Sequence, residues 1–243
     1  KSDFIGILKA MEGYKVTIRL LDPPLHEFLQ STKNKKVLAR AKELEEVNPM
    51  MGHRGVRLGI TSPEIYEMQI KAVFEATAEL VKKKINAKPQ IMIPQVSSIA
   101  ELNHIKSIYD NVKSDMEKKH KIKFKINFGT MLEVVRACLT SDELAKTAEF
   151  FSFGTNDLTQ AVFSFSREDA ESKFLEEYKK KEILETSPFQ SIDENGVGNL
   201  MDIAVSRGRK IKNNLEIGIC GEHGGDPDSI KFCHSADISY VSA

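Results

Sequence analysis

Seven short runs rich in apolar, β-branched and aromatic residues punctuate this chain, at 16–21, 56–60, 91–96, 124–128, 150–153, 217–220 and 239–242. Longer stretches separate them, and there the apolar residues recur every three or four positions. In "SPEIYEMQIKAVFEATAELVKKK" (62–84), Ile65, Met68, Ala72, Val73, Ala76 and Leu80 fall at helical spacing. Ser62 and Pro63 open that stretch and a lysine run closes it, as helix ends prefer. The segment "SSIAELNHIKSIYDNVKSDMEKK" (97–119) repeats the pattern. Strand and helix alternating in this rhythm admit few layouts and predict an α/β fold, a parallel sheet with helices outside it. A (β/α)8 barrel closes with eight strands. Seven runs therefore predict either an open sheet or a barrel cut at its ends.

Bulk properties narrow the class. A chain of 243 residues, 41% hydrophobic and 29% charged, suits a globular protein with a substantial core. Lys plus Arg and Asp plus Glu both total 35, and this zero formal charge favours neither nucleic acid nor an anionic membrane as partner. No apolar run approaches membrane-spanning length. Three unevenly spaced cysteines predict no disulfide framework and fit a reducing, intracellular compartment, and no signal peptide is evident. No repeat or domain boundary stands out, so 1–243 reads as one domain. The charged stretch 166–185 predicts an exposed helix or surface excursion, and "GVGNLMDIAVSRGRKIK" a further helix.

Polar residues gather where the runs end. Arg19 and Asp22 close the first, Glu133 follows the fourth, Asn156 and Asp157 follow the fifth, and "CGEHGGD" follows the sixth. Ligands of parallel α/β folds bind at the carboxyl ends of strands. Arg54, just before the second run, is the exception. Glu133 and Asp157 form a candidate Mg²⁺ pair, because Mg²⁺ needs only one or two protein carboxylates beside water and substrate oxygens. The competing reading makes Glu133 a helix cap and Asp157 a turn residue. Arg19 and Arg54 offer planar forks for carboxylate or phosphate, against the alternative of structural salt bridges. Arg19 lies in a run fit for burial, which predicts a partner for its charge. Arg57 and Arg136 read as structural.

Cys220 ends a run between glycines, either as a proton donor or as an inert buried thiol. Cys138 and Cys233, in helical contexts, read as inert. His223 reads as an orienting or hydrogen-bonding group, and Asn156 offers an amide to an oxyanion. Gly129, Gly154, Gly221, Gly224 and Gly225 let backbone approach a ligand closely. There is no phosphate-binding GxxxxGK[ST] loop, and "GVGNLMDIA" lacks the third glycine of a dinucleotide fingerprint.

In order and over nearly the whole chain, "TIRLLDPPLHEFL", "NPMMGHRGVRLGIT", "FGTMLEVVRA", "FFSFGTNDLTQ" and "GICGEHGGDP" resemble the C-terminal domain of the pyruvate, phosphate dikinase family of phosphoenolpyruvate-utilising enzymes. Related phosphoenolpyruvate enzymes share a "GTNDLTQ"-like stretch but do not usually carry "LDPPLHEFL" or "CGEHGGDP". The resemblance implies a (β/α)8 TIM barrel that binds pyruvate or phosphoenolpyruvate with Mg²⁺. It places Glu133 and Asp157 on the metal ligands, and Arg19, Arg54 and Asn156 on substrate contacts. It places Met131, Gly154 and Thr155 on positions lining the substrate, and Cys220 on the acid/base cysteine.

The implied activity is phosphoryl transfer between pyruvate and a phosphohistidine. That histidine and the nucleotide-binding region sit on other domains of the same polypeptide, and homodimers are usual. Family members work in cytosol, plastid or glycosome. No counterpart of the family's first strand, with its "GLCRTEHMF"-like motif, or of its last helix is found, so the resemblance predicts an incomplete barrel. Val135 stands where a proline is usual and Gln95 where an apolar residue is usual. A non-catalytic binding module is the alternative from another class; substitution at Glu133, Asp157 or Cys220 would have favoured it.

Overall fold

A computed structural model describes residues 1–24, 26–27 and 32–242. Residues 25 and 28–31, which include the remainder of the "LDPPLHEFL" stretch, and Ala243 lie outside the described residues. The strands are all parallel where paired and follow one another in the sheet as in the chain, in an α/β arrangement. By contact the chain divides into two units, residues 1–95 with 100–129, and residues 96–99 with 130–243.

The first unit begins with α1 (Ser2–Ala10) and β1 (Lys15–Arg19). It continues through α2 (Lys35–Glu43), α3 (Val56–Thr61), α4 (Pro63–Lys82) and β2 (Lys88–Ile93) to α5 (Ile99–His120) and the start of β3 (Asn127–Leu132). β1 pairs with β2, with Thr17 opposite Gln90 and Arg19 opposite Met92. Side chains alternate across a strand, so Thr17 and Arg19 share one face while Val16 and Ile18 take the other. Val16 packs against Leu8, Ala76 and Leu80 from α1 and α4. An aromatic cluster closes the unit's core: Phe74 meets Tyr109 and Phe124, and Tyr109 meets Phe128, at centroid distances of 5.0–5.5 Å.

The second unit carries the rest of β3, α6 (Val135–Leu139), α7 (Ser141–Ala145), β4 (Phe150–Gly154) and α8 (Thr155–Phe163). Then come α9 (Arg167–Lys173), α10 (Leu175–Lys180), α11 (Asn199–Ile211), β5 (Glu216–Cys220), α12 (Pro227–Ser235) and the short β6 (Tyr240–Val241). All five residues of β4 are buried, as expected of a parallel strand covered on both faces. The charged excursion forms α9 and α10, whose Ala170 and Leu175 pack with Phe189 from the following segment in a small cluster.

Two strand expectations are corrected. Residues 56–60 form helix α3 rather than a strand, so the described residues contain six strands and not seven. Val56 and Leu58 are fully buried there, and the Gly59 amide bonds back to the Gly55 carbonyl in the helical pattern. The strand expected at 124–128 begins at Asn127 and continues to Leu132, through Gly129 and Thr130. Phe124 instead joins the aromatic cluster beneath α4.

Candidate active site

In the first unit the chain leaves β1 into a loop held by α4. The Leu21 amide donates to Gln69 Oε1 at 2.9 Å, and the Tyr66 hydroxyl donates to the Leu21 carbonyl at 2.9 Å. That fixes Asp22, only 3% exposed. The Asp22 carbonyl accepts from the Gly55 amide at 2.9 Å, so the backbone beside Arg54 is tied to the same loop. Arg54 then lays its fork on the Asp22 carboxylate, Nε to Oδ1 at 3.2 Å and Nη2 to Oδ2 at 2.5 Å. Arg19 Nη1 stands 3.2 Å from the same Oδ2.

Two guanidiniums thus share one carboxylate, and the group keeps a net positive charge suited to an anion. Arg54 is buried while the Arg19 side chain is 46% exposed. The partner expected for the Arg19 charge is Asp22, although Arg19 ends its strand at the surface. Arg54 no longer breaks the pattern of polar groups after strands, since what it precedes is a helix. Arg57 donates to the Gly52 carbonyl and Arg136 to the Ser97 carbonyl, both structural roles as expected.

In the second unit the strand ends align in a row. Leu132 pairs with Phe153, and Gly154 pairs with Cys220. Glu133, one step beyond Leu132, is therefore level with Gly154 and Cys220. By alternation Met131 and Glu133 share a sheet face with Gly154 and Cys220. A Cβ on Gly154 would sit 2.6 Å from Glu133 Oε2 and 2.7 Å from Met131 Sδ. A side chain there would have to push both the Glu133 carboxylate and the Met131 thioether from where they lie across the end of β4. Glu133 is 3% exposed. Asp157 lies in the first turn of α8, where a carboxylate is favoured by the helix dipole, and its Oδ1 accepts from Gln160 Nε2 at 3.3 Å.

The three cysteines differ. Burial pushes the Cys138 thiol up to about 12 and Cys233 up to about 11, which fits the expectation that both are inert. Cys220 is partly exposed and its thiol donates to the Phe153 carbonyl at 3.5 Å. The other groups of "CGEHGGD" have structural partners. Glu222 forms a two-pronged ion pair with Arg167, which holds its carboxyl below the usual range. Asp226 caps α12, accepting from the Ser229 amide at 2.9 Å and hydroxyl at 2.6 Å, and these bonds hold its carboxyl low. His223 is fully buried between Thr155 and Pro188.

The turn after β5 lies against the start of α8. Gly221 adopts φ +115, and a Cβ there would meet Thr155 Oγ1 at 2.8 Å. Asn156 Oδ1 accepts from the Glu222 amide at 3.3 Å, so its Nδ2 is the end turned to donate elsewhere. Asp22 was placed at the end of the first run but given no role, and the Thr155–His223 contact was not foreseen from the sequence. The signal for Asp22 was present, as the nearest acid to an arginine in an apolar run. No local signal links Thr155 to a histidine 68 residues away.

Among the described residues no group of three or more His, Cys, Asp and Glu side chains is arranged to hold a metal ion, and no helix is long and apolar enough to cross a membrane. Carboxylates such as Glu133 and Asp157 suit an oxygen-seeking ion that keeps water or substrate oxygens.

The family described as PEP-utilising enzyme, PEP-binding domain, matches residues 1–243. A pyruvate, phosphate dikinase of Entamoeba histolytica is 51% identical, over 100% of this chain and 30% of that protein. The enzyme of that name from Clostridium symbiosum is 47% identical over 100% of this chain and 29% of its own length. A chloroplastic pyruvate, phosphate dikinase of Arabidopsis thaliana is 48% identical, over 100% of this chain and 27% of that protein. The chain thus spans 27–30% of the length of these relatives.

Proposed function

The chain belongs to the PEP-utilising enzymes as their PEP-binding domain, and on that premise we propose that it performs the pyruvate half of a pyruvate, phosphate dikinase reaction. In this reading other domains of a longer polypeptide form a phosphohistidine from ATP and phosphate, and this domain exchanges the phosphoryl group with pyruvate. The six parallel strands in chain order support the reading that they are part of a (β/α)8 barrel of the family type. The observation that carries the proposal is the row of Glu133, Gly154 and Cys220 at three successive strand ends, with Cys220 the one partly exposed thiol of the three cysteines.

Arg19 and Arg54 hold the substrate's carboxylate and phosphoryl oxygens, with Asp22 fixing the Arg54 fork. Gly154, Thr155, Asn156 and Met131 line the substrate, and Asn156 donates to the enolate oxygen. As the phosphoryl group leaves the enol oxygen for the carrier histidine, Cys220 delivers its proton to the methylene carbon, giving pyruvate and a thiolate. In reverse the thiolate takes a proton from the methyl group. Glu133 and Asp157 would hold Mg²⁺, which when bound supplies charge stabilisation for the enolate.

The test is Cys220→Ala in the full-length polypeptide. Interconversion of pyruvate and phosphoenolpyruvate should fall at least about a hundredfold, the scale of a general acid, while phosphohistidine still forms from ATP. Persistent pyruvate turnover would remove Cys220 from the acid/base role.

A further inference from the structure

We infer that His223 is a positioning residue for the Cys220 thiol, a buried strut that holds the first turn of α8 against the end of β5. The inference rests on the reading of Cys220 above. The His223 ring is 0% exposed. Its Nε2 stands 2.9 Å from the Pro188 carbonyl and its Nδ1 2.7 Å from Thr155 Oγ1. A carbonyl can only accept, so Nε2 carries a hydrogen. Burial holds the imidazole below the ordinary histidine range, so near neutral pH Nδ1 is an acceptor and Thr155 donates to it.

The Thr155 hydroxyl also lies 3.2 Å from the Cys220 carbonyl. It has one proton and two possible acceptors, and the neutral ring holds the nearer one. Imidazole, Thr155 and the backbone of Cys220 therefore form one chain of contacts. A parallel link runs from the Glu222 amide to Asn156. His223 extends the network to Pro188, outside both turns.

Loss of the ring releases the Thr155 hydroxyl from Nδ1 to donate to the Cys220 carbonyl instead, which removes the tie between the turn and α8 and shifts the strand end that aims the thiol. Displacements of about an ångström in a reacting group can cost up to a hundredfold in rate. The substitutions that separate this role from simple packing are His223→Leu, His223→Gln and His223→Asn. Leucine keeps bulk without polarity. Glutamine reaches towards Pro188, and asparagine keeps a polar atom near the Nδ1 position.

The experiment measures kcat and KM for pyruvate, phosphohistidine formation from ATP, and the rate of Cys220 alkylation by iodoacetamide, in the full-length protein. His223→Leu should lower kcat for pyruvate turnover by about tenfold or more, with pyruvate KM and phosphohistidine formation little changed. The Cys220 alkylation rate should shift at least threefold. His223→Asn should recover most of both effects and His223→Gln little of either. Wild-type kcat and alkylation rate in His223→Leu would overturn the inference. So would losses in all three variants that track the thermal midpoint without rescue by asparagine. Should wild-type protein show no pyruvate turnover, the functional reading fails, and the alkylation rates alone decide whether His223 positions the thiol.

Discussion

Asp22 is the residue on which the arginine pair depends. It is 3% exposed and faces two guanidiniums, one of them buried. Removing one partner of a buried ion pair leaves the other uncompensated. Asp22→Asn should therefore cost about 3–5 kcal/mol in denaturant unfolding, and an unchanged midpoint would show that Arg54 finds another acceptor. Gly154 makes a second prediction. The methyl group of Gly154→Ala would enter the space of the Glu133 carboxylate, so phosphoenolpyruvate binding should need about tenfold more Mg²⁺. An unaltered Mg²⁺ dependence would place the metal elsewhere. Both sites were partly legible in the sequence. Arg19, Glu133 and Cys220 were expected where strands end, and each lies at or just past the end of its strand. Asp22 was noted at the end of the first run but given no role, because a lone acid before two prolines also reads as a turn, and only the fold reveals its two cationic neighbours.

The turn Glu222–Gly225 and the start of α8 behave as a paired element, with His223 at its centre. Desolvation lowers the ring's pKa, an effect reinforced by Arg167 and opposed by the Pro188 carbonyl and by the charges of Asp226 and Glu222. A group held neutral in the fold and free to protonate when unfolded binds fewer protons in the native state. Its contribution to stability is complete above the unfolded value near 6.5 and is lost as pH falls from there through the lower folded value. Thermal midpoints should drop across that window, and the drop should shrink in His223→Gln; an equal drop in both proteins would assign it to other groups.

Elements also show where sequence reading stops. The long helices α4 and α5 were legible because their apolar spacing persists over five or more turns. The five residues 56–60 were not, since an apolar run that short carries no period to separate helix from strand. β3 was placed too early because "FKINF" alternates like a strand, whereas "FGTML" contains a glycine. In a strand buried on both faces the alternation vanishes, and Phe128 to Leu132 are all buried.

At the scale of the whole molecule, the order of elements was legible because strand and helix alternate throughout, and the motifs appear in one order along the chain. The division of the chain into two units was not legible, because it cuts through β3, where composition does not change. The candidate groups are spread over both units: Arg19, Asp22 and Arg54 in the first, and Glu133, Asp157 and Cys220 in the second. In the proposed reading Glu133 links phosphoenolpyruvate binding to Mg²⁺. The measurement that tests this most directly is calorimetry of phosphoenolpyruvate binding to the full-length protein, with Mg²⁺, with a chelator, and in Glu133→Gln. Binding that requires Mg²⁺ and is lost in Glu133→Gln is the predicted result; binding unchanged by chelator and by the substitution would contradict it.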